Sequence, residues 1–238
     1  MAALFSRRIL AARDARQASA ATTTYFQDGV YYDVRGEGDE LMTFDPKTGR
    51  IALADRNRRL RTEIKTDDLA RLAERFRAAA RKHGDAAIRF AASGKFAASF
   101  DERSRELTVA GAPLTYRAAC ERPGDASDAE RCREFSDWCA RLNSVHRGGL
   151  PARARLALNE ELARREMVPT TVRLTLRDER SAKETPLRSE HAYTWRLSTD
   201  DLVRIARAKK LAAECKPVSF AEYLGYEATP RDNAAANH

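Results

Sequence analysis

The sequence predicts an α+β protein: an antiparallel, curved (half-barrel-like) sheet with helices packed on one of its faces. Two observations lead to this prediction. Short β-type segments separated by turn signals follow one another between residues 22 and 65, and segments with helical periodicity come only between and after such strands. Strands in this order with short turns favour antiparallel pairing, and one apolar face per strand requires a helical cover.

Composition sets the class of protein before any motif is considered. The chain has 238 residues, of which 43% are hydrophobic and 33% charged, a balance typical of a globular protein. With 11 Gly and 8 Pro, collagen-like and low-complexity classes are excluded. We expect a flexible tail at residues 1–20, a single α+β domain at residues 21–226 and a flexible tail at residues 227–238.

Asp28 and Gly29 supply the clearest turn signal, because Asp-Gly between two β-type segments is typical of a tight hairpin. The segments on either side, residues 22–27 and 30–35, are therefore the first two strands of a meander. Turns rich in glycine and aspartate lead to three more strands. The last of these, residues 59–65, alternates strictly, with one face formed by Leu60, Thr62 and Ile64.

Helical periodicity begins after the meander, with a helix over residues 67–83. Residues 86–118 are predicted to form two further strand pairs. A helical hairpin follows over about residues 128–167, because a capping box beginning at Ser127, a Gly-Gly break and a proline delimit two amphipathic segments. A last strand pair precedes a final helix over residues 200–215.

The chain contains one internal echo. Residues 66–73 and 199–206 both begin Thr-Asp-Asp-Leu, and both follow an alternating strand. A duplicated strand–helix unit would produce this repeat, and so would convergence on a favourable helix start, with Thr66 as the expected N-cap. Convergence is the favoured interpretation, because eight residues are few.

The local motifs of common enzymes and cofactor sites are absent from the sequence. It contains no phosphate-binding loop, no G-x-G-x-x-G after a strand, no H-E-x-x-H, no C-x-x-C and no G-x-S-x-G. Cys132, Cys139 and His146 recur every seven residues, but each step spans ~10 Å along a helix, too far for three ligands of one metal ion. We therefore predict a core stripe there, and no catalytic residue, metal or cofactor. An active site assembled from distant residues stays open.

Ser189 and His191 share one face of a predicted strand, which raises the question of a nucleophilic pair. Side chains two apart on a strand stand parallel instead of pointing at each other. We therefore expect an exposed strand histidine, although His191 pairing with a distant carboxylate stays open.

The sequence predicts a cytoplasmic protein without a membrane span. No stretch approaches the ~18 consecutive apolar residues of a spanning helix. After Arg7 and Arg8 only Ile-Leu-Ala-Ala precedes the next charged residue, which is too short for a secretory signal. Four cysteines in a chain of this length do not make a disulfide scaffold. The oligomeric state is left open.

Four segments of the N-terminal third resemble the strand meander of lipoprotein-carrier-like (LolA-like) open β-barrels. They are YFQDGVYY at residues 25–32, MTFDP at 42–46, RIALAD at 50–55 and RTE at 61–63. The resemblance implies an open, curved sheet and assigns no catalytic or ligand residue. The chain departs from that family in lacking a secretory signal, and as a whole it also resembles uncharacterised bacterial proteins.

The first functional hypothesis is a non-enzymatic binding protein that holds a hydrophobic ligand, or an apolar segment of a partner, against the curved sheet. The alternative for the same residues is that they pack as core. The candidate lining residues are Tyr25, Tyr31, Phe44, Leu53, Leu60, Ile64, Phe90 and Trp195.

The second hypothesis is an intracellular interaction or nucleic-acid-associated module that uses the basic face at residues 50–61. The chain carries a net charge of +8, but the positive charge is spread along it with acidic residues interleaved, which disfavours nucleic acid as the partner. A solvated face is the alternative interpretation. The candidate residues for an anion or an acidic partner are Arg56, Arg58, Arg59 and Arg61.

Overall fold

The structure, a computed structural model, describes residues 3–11, 20–177 and 184–226, with side chains described at residues 21–177 and 186–226. The strands are β1 (Ala3–Ala11), β2 (Ala20–Gln27), β3 (Val30–Arg35), β4 (Glu40–Asp45), β5 (Arg50–Asp55), β6 (Leu60–Lys65), β7 (Ala97–Asp101), β8 (Glu106–Gly111), β9 (Leu114–Glu121), β10 (Val168–Arg177), β11 (Glu184–Thr194) and β12 (Lys216–Pro217). The helices are α1 (Thr66–Ala80), α2 (Ala86–Ser93), α3 (Ala126–Ser144), α4 (Arg153–Arg164), α5 (Thr199–Ala213) and α6 (Phe220–Tyr223).

The predicted α+β class with an antiparallel sheet is confirmed. The strands form one ladder in the order β12-β6-β5-β4-β3-β2-β1-β11-β10-β9-β8-β7. Every described pair in this ladder is antiparallel except β12 with β6, which is parallel. The sheet is open, because β12 and β7 lie at its two ends.

The N-terminal segment joins the two halves of this ladder. Residues 3–11, which the sequence places in a flexible tail, form β1, which pairs with β2 on one side and β11 on the other. A strand that pairs on both edges has its backbone hydrogen bonds satisfied, which the composition of the segment alone does not reveal. The rest of the predicted first tail (residues 1–2 and 12–19) and the second tail (residues 227–238) lie outside the described residues.

Local sequence signals account for the first strands. Asp28 has φ 54° and Gly29 φ 84°, the positive values that a tight hairpin turn between β2 and β3 requires. On β6, Thr62 is buried between exposed Arg61 and exposed Glu63, which confirms the alternation. The helical hairpin also forms, as α3 and α4.

The observed N-termini of the helices show that three predictions were wrong. Residues 86–93 form α2 instead of a strand, because the Asp85 side chain caps the segment by accepting hydrogen bonds from the backbone N–H groups of Ala87 and Ile88. Asp125, not Ser127, caps α3. The N-cap position of α1 is Lys65, which makes no side-chain capping bond, so Thr66 is already helical.

Two apolar clusters lie on opposite faces of β3, β4 and β5. One packs Tyr31 and Phe44 against Leu69 of α1, together with residues of α3 and α6. The other packs Tyr32 and Val34 against α5. Neighbouring strand residues point to opposite faces, so the consecutive tyrosines of β3 bury both sides of the sheet. The sequence predicts helices on one face of the sheet. Here α1, α3 and α6 cover one face of these strands, and α5 covers the opposite face.

A third cluster covers the other half of the sheet. Leu158 and Leu162 of α4 pack against Leu107 and Val109 of β8 and Val172 of β10. This contact fixes α4, and with it the connection from α3, over strands β8 to β10. Among the described residues, none of the helices has the length and apolar composition needed to cross a membrane.

Candidate ligand-binding cavity

A cavity of about 360 Å³ lies between α3, the α3–α4 connection and the strands β9, β10 and β11. Residues from segments far apart in the chain form its walls, because β11 pairs with β10 and β10 with β9. The apolar part of the lining includes Phe135, Ala140, Leu150, Val172, Leu174 and Leu187.

The cavity follows from small side chains on one side of α3. Residues three and four apart share a helix face, and the face of α3 that lines the cavity carries Cys132, Ser136, Cys139 and Ala140. These side chains are short, and a space remains between them and the facing strand residues Val172 and Leu174. Two larger recesses, of about 560 and 510 Å³, also border α3 and α4, but charged side chains make up much of their lining. The mainly apolar lining, and not the size, distinguishes this cavity.

The strand β11 supplies four polar lining residues: Arg188, Ser189, His191 and Tyr193. Ser189 Oγ and His191 Nε2 are 2.9 Å apart, at hydrogen-bond distance, and Ser189 is buried. Our expectation that these side chains do not meet is therefore wrong; they share a face, and the His191 ring bends towards Ser189. The Tyr193 hydroxyl donates a hydrogen bond to the carbonyl oxygen of Pro169 at 2.7 Å.

The surroundings of the Cys132 thiol in the cavity favour its protonated form. Burial raises the pKa of the Cys132 thiol well above its usual value, and the nearby Asp128 carboxylate adds to the shift. A thiol must lose its proton to act as a nucleophile or metal ligand. His146 lies beyond the end of α3 and is exposed, so the structure does not bring it together with Cys132 and Cys139. Both cysteines line the cavity, and Cys139 also packs against the core cluster beneath α1 and α3, as predicted.

A buried polar chain leads from α3 to Arg155, which lines the cavity. The Arg155 Nε donates to Asn159 Oδ1 at 2.9 Å, and Asn159 Nδ2 donates to Asp137 Oδ1 at 2.8 Å. Positions 155 and 159 are one helical turn apart on α4, which places them on the same face. Burial raises the pKa of the Asp137 carboxyl, while the hydrogen bond from Asn159 and the charges of Arg141 and Arg133 act against the shift.

None of the eight residues predicted to hold a hydrophobic ligand lines this cavity. Five belong to the cluster beneath α1 and α3 or pack against it: Tyr31, Phe44, Leu53, Leu60 and Ile64. Tyr25 belongs to the cluster beneath α5, and Phe90 packs at the edge of a fourth cluster. Whether they bind a ligand stays a prediction.

Two of the eight are one contact away from the cavity. The Tyr31 ring stacks on Phe135 with centroids 5.3 Å apart, and the Trp195 ring stacks on Tyr193 with centroids 5.4 Å apart. Phe135 and Tyr193 are cavity residues. Sequence reasoning selected large aromatic residues, whereas the signal that marks the cavity is the set of small residues on α3.

The four predicted anion-binding arginines lie at the β5–β6 turn and on β6, and all four are exposed. Arg58 forms an ion pair with Asp55 at 3.9 Å and lies over the Tyr223 ring, 5.1 Å from its centroid. The parallel pairing of β12 with β6 sets Lys216 beside Leu60 in the ladder. Residues paired across a ladder share a face, so Lys216 lies on the side of Leu60 and not with Arg61. We call the four exposed arginines, Arg56, Arg58, Arg59 and Arg61, the β6 basic face.

Comparison with known proteins adds no family to this geometry. A scan against protein-family models finds no match, and a search of the curated proteins finds none either. The class of the protein therefore rests on its structure: an α+β protein with an open antiparallel sheet and a cavity between that sheet and one helix.

Proposed function

We propose that this chain is a non-enzymatic binding protein that holds a hydrophobic small molecule, or a short apolar segment of a partner, in the cavity between α3 and strands β9 to β11. The observation that carries the proposal is the cavity itself. Its volume of about 360 Å³ falls within the range of ~300–1,000 Å³ that is typical of ligand pockets. Its mainly apolar walls with a few polar groups also match such pockets.

The apolar walls set how affinity should depend on ligand length. Each methylene that leaves water contributes about 0.8 kcal/mol, which corresponds to a roughly fourfold change in Kd. We therefore expect the affinity for straight-chain 1-alkanols to rise about fourfold per added methylene and then to level off when the cavity is full. A surface patch without a cavity would show no such limit.

The first experiment compares native and denaturing mass spectrometry of the freshly purified, untagged chain. An excess mass that leaves on denaturation would be a co-purified ligand and would support the proposal. The second experiment measures 1-alkanol binding by displacement of a fluorescent apolar probe. Absence of any probe or alkanol binding would contradict the proposal.

Filling the cavity provides the variant test. Ala140→Phe and Ala152→Phe each add a ring at a lining position, and either should lower alkanol affinity about tenfold or more. Ala79→Phe is the matched control, because Ala79 is exposed on α1 and lies outside the lining. Circular dichroism and thermal unfolding establish that each variant folds. Full affinity in both folded cavity variants would contradict the site assignment.

The β6 basic face supports a second candidate function, binding of an anionic partner or nucleic acid. The specific observation in its favour is that the four arginines are all exposed and lie close together in the chain, around the β5–β6 turn and the start of β6. Because Arg58 packs on Tyr223, we leave it in place and replace Arg56, Arg59 and Arg61 by Gln.

The test of the second candidate is the salt dependence of oligonucleotide binding. Each lost phosphate contact reduces the slope of log K against log salt by about 0.7–0.9. The control removes three exposed positive charges on and just after α1, with Arg75, Arg81 and Lys82 replaced by Gln. Equal binding by the two triple variants would reject a site on this face.

We also propose that the protein functions in the cytoplasm. All four cysteines (Cys120, Cys132, Cys139 and Cys215) are free thiols, as is typical of a reducing compartment. Fractionation of cells that produce the untagged full-length chain tests this location, and recovery in a secreted or membrane fraction would contradict it.

A further inference from the structure

The two ends of the sheet differ in how they are protected from further strand pairing. At one end, β12 has only two residues and includes Pro217, which has no N–H to donate. At the other end, β7 has five residues, and its pairing with β8 runs without a bulge. Before Asp101 at its end, β7 contains no charged residue and no proline, the residues that commonly block pairing at a sheet edge.

The outer edge of β7 is exposed on both faces of the sheet. Ala97, Ala98 and Ser99 are all exposed, although neighbouring strand residues point to opposite faces. The strand pairs with β8 alone, and among the described residues its outer backbone groups have no main-chain partner. Such an edge can accept a strand from another molecule.

The sequence of this edge is complementary to itself in the antiparallel direction. Residues 95–101, which we call the edge segment, have the sequence KFAASFD. A twofold axis at Ala98 sets a positive charge against a negative charge, a phenylalanine against a phenylalanine and small side chains against one another. The opposed pairs are Lys95 with Asp101 of the partner subunit, Phe96 with the partner's Phe100, and Ala97 with the partner's Ser99. Opposite charges and aromatic pairs are favourable across strands.

The paired side chains already share the faces that this arrangement needs. Phe96 and Phe100 both pack against the cluster that contains α4, β8 and β10, so they lie on one face of the edge segment. Lys95 and Asp101 are exposed, and strand alternation puts them together on the opposite face. The carbonyl oxygen of Lys95 lies next to Gly111 at the end of β8, so the chain already runs beside β8 at this residue.

Asp101 can meet a lysine without losing the contacts that it makes in its own chain. Its Oδ1 accepts hydrogen bonds from the backbone N–H groups of Arg103 and Ser104 at 2.9 and 3.2 Å. A carboxylate has two oxygens with about four acceptor positions. The pair with Lys95 therefore adds to the turn contacts and does not replace them.

The neighbouring symmetric registers are less well matched. A twofold axis normal to the sheet sets residues of the same face opposite one another, so moving the axis by one residue shifts every opposed pair by two. With the axis at Ser99, Lys95 would lie opposite Arg103 of the partner subunit, and Phe96 opposite the partner's Glu102. Moving the axis to the residue before Ala98 would remove the charge pair. The axis at Ala98 is therefore the favoured register.

We propose that the β7 edge is a dimer interface, at which two copies of this chain pair antiparallel about Ala98 and join their sheets into one. The inference is independent of the proposed binding function, because no residue of the edge segment lines the cavity. One short strand from each copy makes a smaller contact than a standard stable interface, so the dimer is reversible, with a Kd of about 1–100 μM.

Sedimentation velocity of the untagged full-length chain, from about 1 to 300 μM, tests the dimer. The parent should show a concentration-dependent equilibrium between monomer and dimer. Ala98→Lys sets two lysines directly opposite each other at the axis and should raise the Kd about tenfold or more. Ala79→Lys is the matched control, because Ala79 is exposed on α1, and it should leave the Kd within about twofold of the parent.

A second pair of variants tests the charge pairing. Lys95→Glu turns both symmetric charge pairs into like-charge pairs and should raise the Kd about tenfold. Lys82→Glu makes the same change of charge at an exposed position just after α1 and should have no such effect. Circular dichroism and thermal unfolding establish that each variant folds, and Lys95→Glu keeps the test available if Ala98→Lys does not.

Cysteine cross-linking under mild oxidation measures the register. Residues directly opposite in an antiparallel pair have Cβ atoms about 4.5–5.5 Å apart, whereas diagonal neighbours are about 7–8 Å apart. Ala98→Cys meets its own copy directly, and Ser99→Cys meets its own copy only diagonally. Ala98→Cys should therefore cross-link several-fold faster. The parent, with its four free cysteines, gives the background rate.

Each outcome either supports the dimer or overturns it. Association that Ala98→Lys and Lys95→Glu both weaken, while the two controls leave it unchanged, would support the proposal. A chain that stays monomeric up to about 300 μM would overturn it and leave the edge to an extended segment of a different partner. Association that both folded edge variants retain would place the interface elsewhere. Faster cross-linking of Ser99→Cys would overturn the register at Ala98.

Discussion

The helix α3 packs against the sheet in two different ways. Towards the β2–β6 half, Phe135 joins a continuous aromatic stack, with Tyr31 centred 5.3 Å from Phe135 and 5.5 Å from Phe44. Towards β10 and β11, the same helix presents Cys132 and Ser136, and a cavity of about 360 Å³ remains. The volumes of the side chains on each side of α3 therefore decide whether that side forms a closely packed core or leaves space for a ligand.

The helices α1 and α5 make a second comparison, because both begin Thr-Asp-Asp-Leu. Leu69 of α1 is fully buried, whereas the corresponding Leu202 of α5 is 42% exposed. Ser198 forms a capping box with Asp201 at the start of α5, and α1 has no side-chain cap. The shared residues therefore start two helices that pack on opposite faces of the sheet with different sides turned inward.

The largest effect on stability is expected in the closely packed region where the Tyr31, Phe44 and Phe135 rings stack. Phe44→Ala removes a ring that is 2% exposed and stacked on Tyr31, and should lower the free energy of unfolding by about 3–5 kcal/mol. Leu187→Ala, at a cavity residue that is 40% exposed, should cost less than about 1 kcal/mol. Urea unfolding of both variants measures the contrast. Similar losses would mean that the two regions are packed alike.

The next prediction concerns the two helices with the same start. Leu69→Ala should cost about 2–5 kcal/mol, because it leaves a void in the cluster under α1. Leu202→Ala should change stability by no more than about 0.5 kcal/mol, because the side chain already faces solvent. Chemical denaturation of the pair tests this, and equal costs would contradict the difference in burial between the two leucines.

A smaller effect on stability is expected at the cavity. Ala140→Leu adds apolar volume beside the empty space and should cost less than about 1 kcal/mol, or stabilise. Ala91→Leu makes the same change at a fully buried position of α2 that is not part of the cavity lining, and it should cost about 1–3 kcal/mol. Thermal unfolding compares the two. If Ala140→Leu proves the more harmful, the space beside α3 is not available.

The smallest prediction is a pH dependence set by Asp137. Because burial raises its pKa in the folded chain, the folded state holds this proton to higher pH than the unfolded state does. The contribution to stability is complete below the unfolded pKa of about 3.9 and is lost as pH rises through the folded pKa. In urea titrations, the stability of the parent relative to Asp137→Asn should therefore fall as pH rises above about 4.

Asp101 provides a control of opposite sign. Backbone N–H bonds from Ser104 and Arg103 lower the pKa of its carboxyl. Its contribution is present above the unfolded pKa and is lost as pH falls through the folded pKa. The parent should thus gain stability over Asp101→Asn as pH rises, and the same trend in both variants would contradict the assignment for Asp137.

Local signals predicted much of the fold and failed where a short segment could form either a strand or a helix. The Asp-Gly turn and the alternation of β6 act over a few residues and are visible in the sequence. The apolar run at residues 86–93 has too few residues to separate strand from helix by periodicity, and the cap from Asp85 decides it. The strand β1 depends on pairing with β11, which lies at the other end of the chain.

The candidate site shows the same limit. Large aromatic residues such as Tyr31 and Phe44 are conspicuous in the sequence, but burial turns them into core. Cavity residues such as Ser136, Arg155 and Ser189 come from α3, α4 and β11, and none of these segments carries a signature by itself. Their relation exists only after the sheet brings the segments together.

The sequence by itself determined the α+β class, the meander of the first strands and the helical hairpin, because turn chemistry and periodicity act between near neighbours. Tertiary structure alone decided that β1 joins the two halves of the sheet, that α5 covers the second face and that α3 stands over a cavity. Each of these depends on which distant segments meet and on whether their side chains fill the space between them. A local sequence pattern does not contain that information.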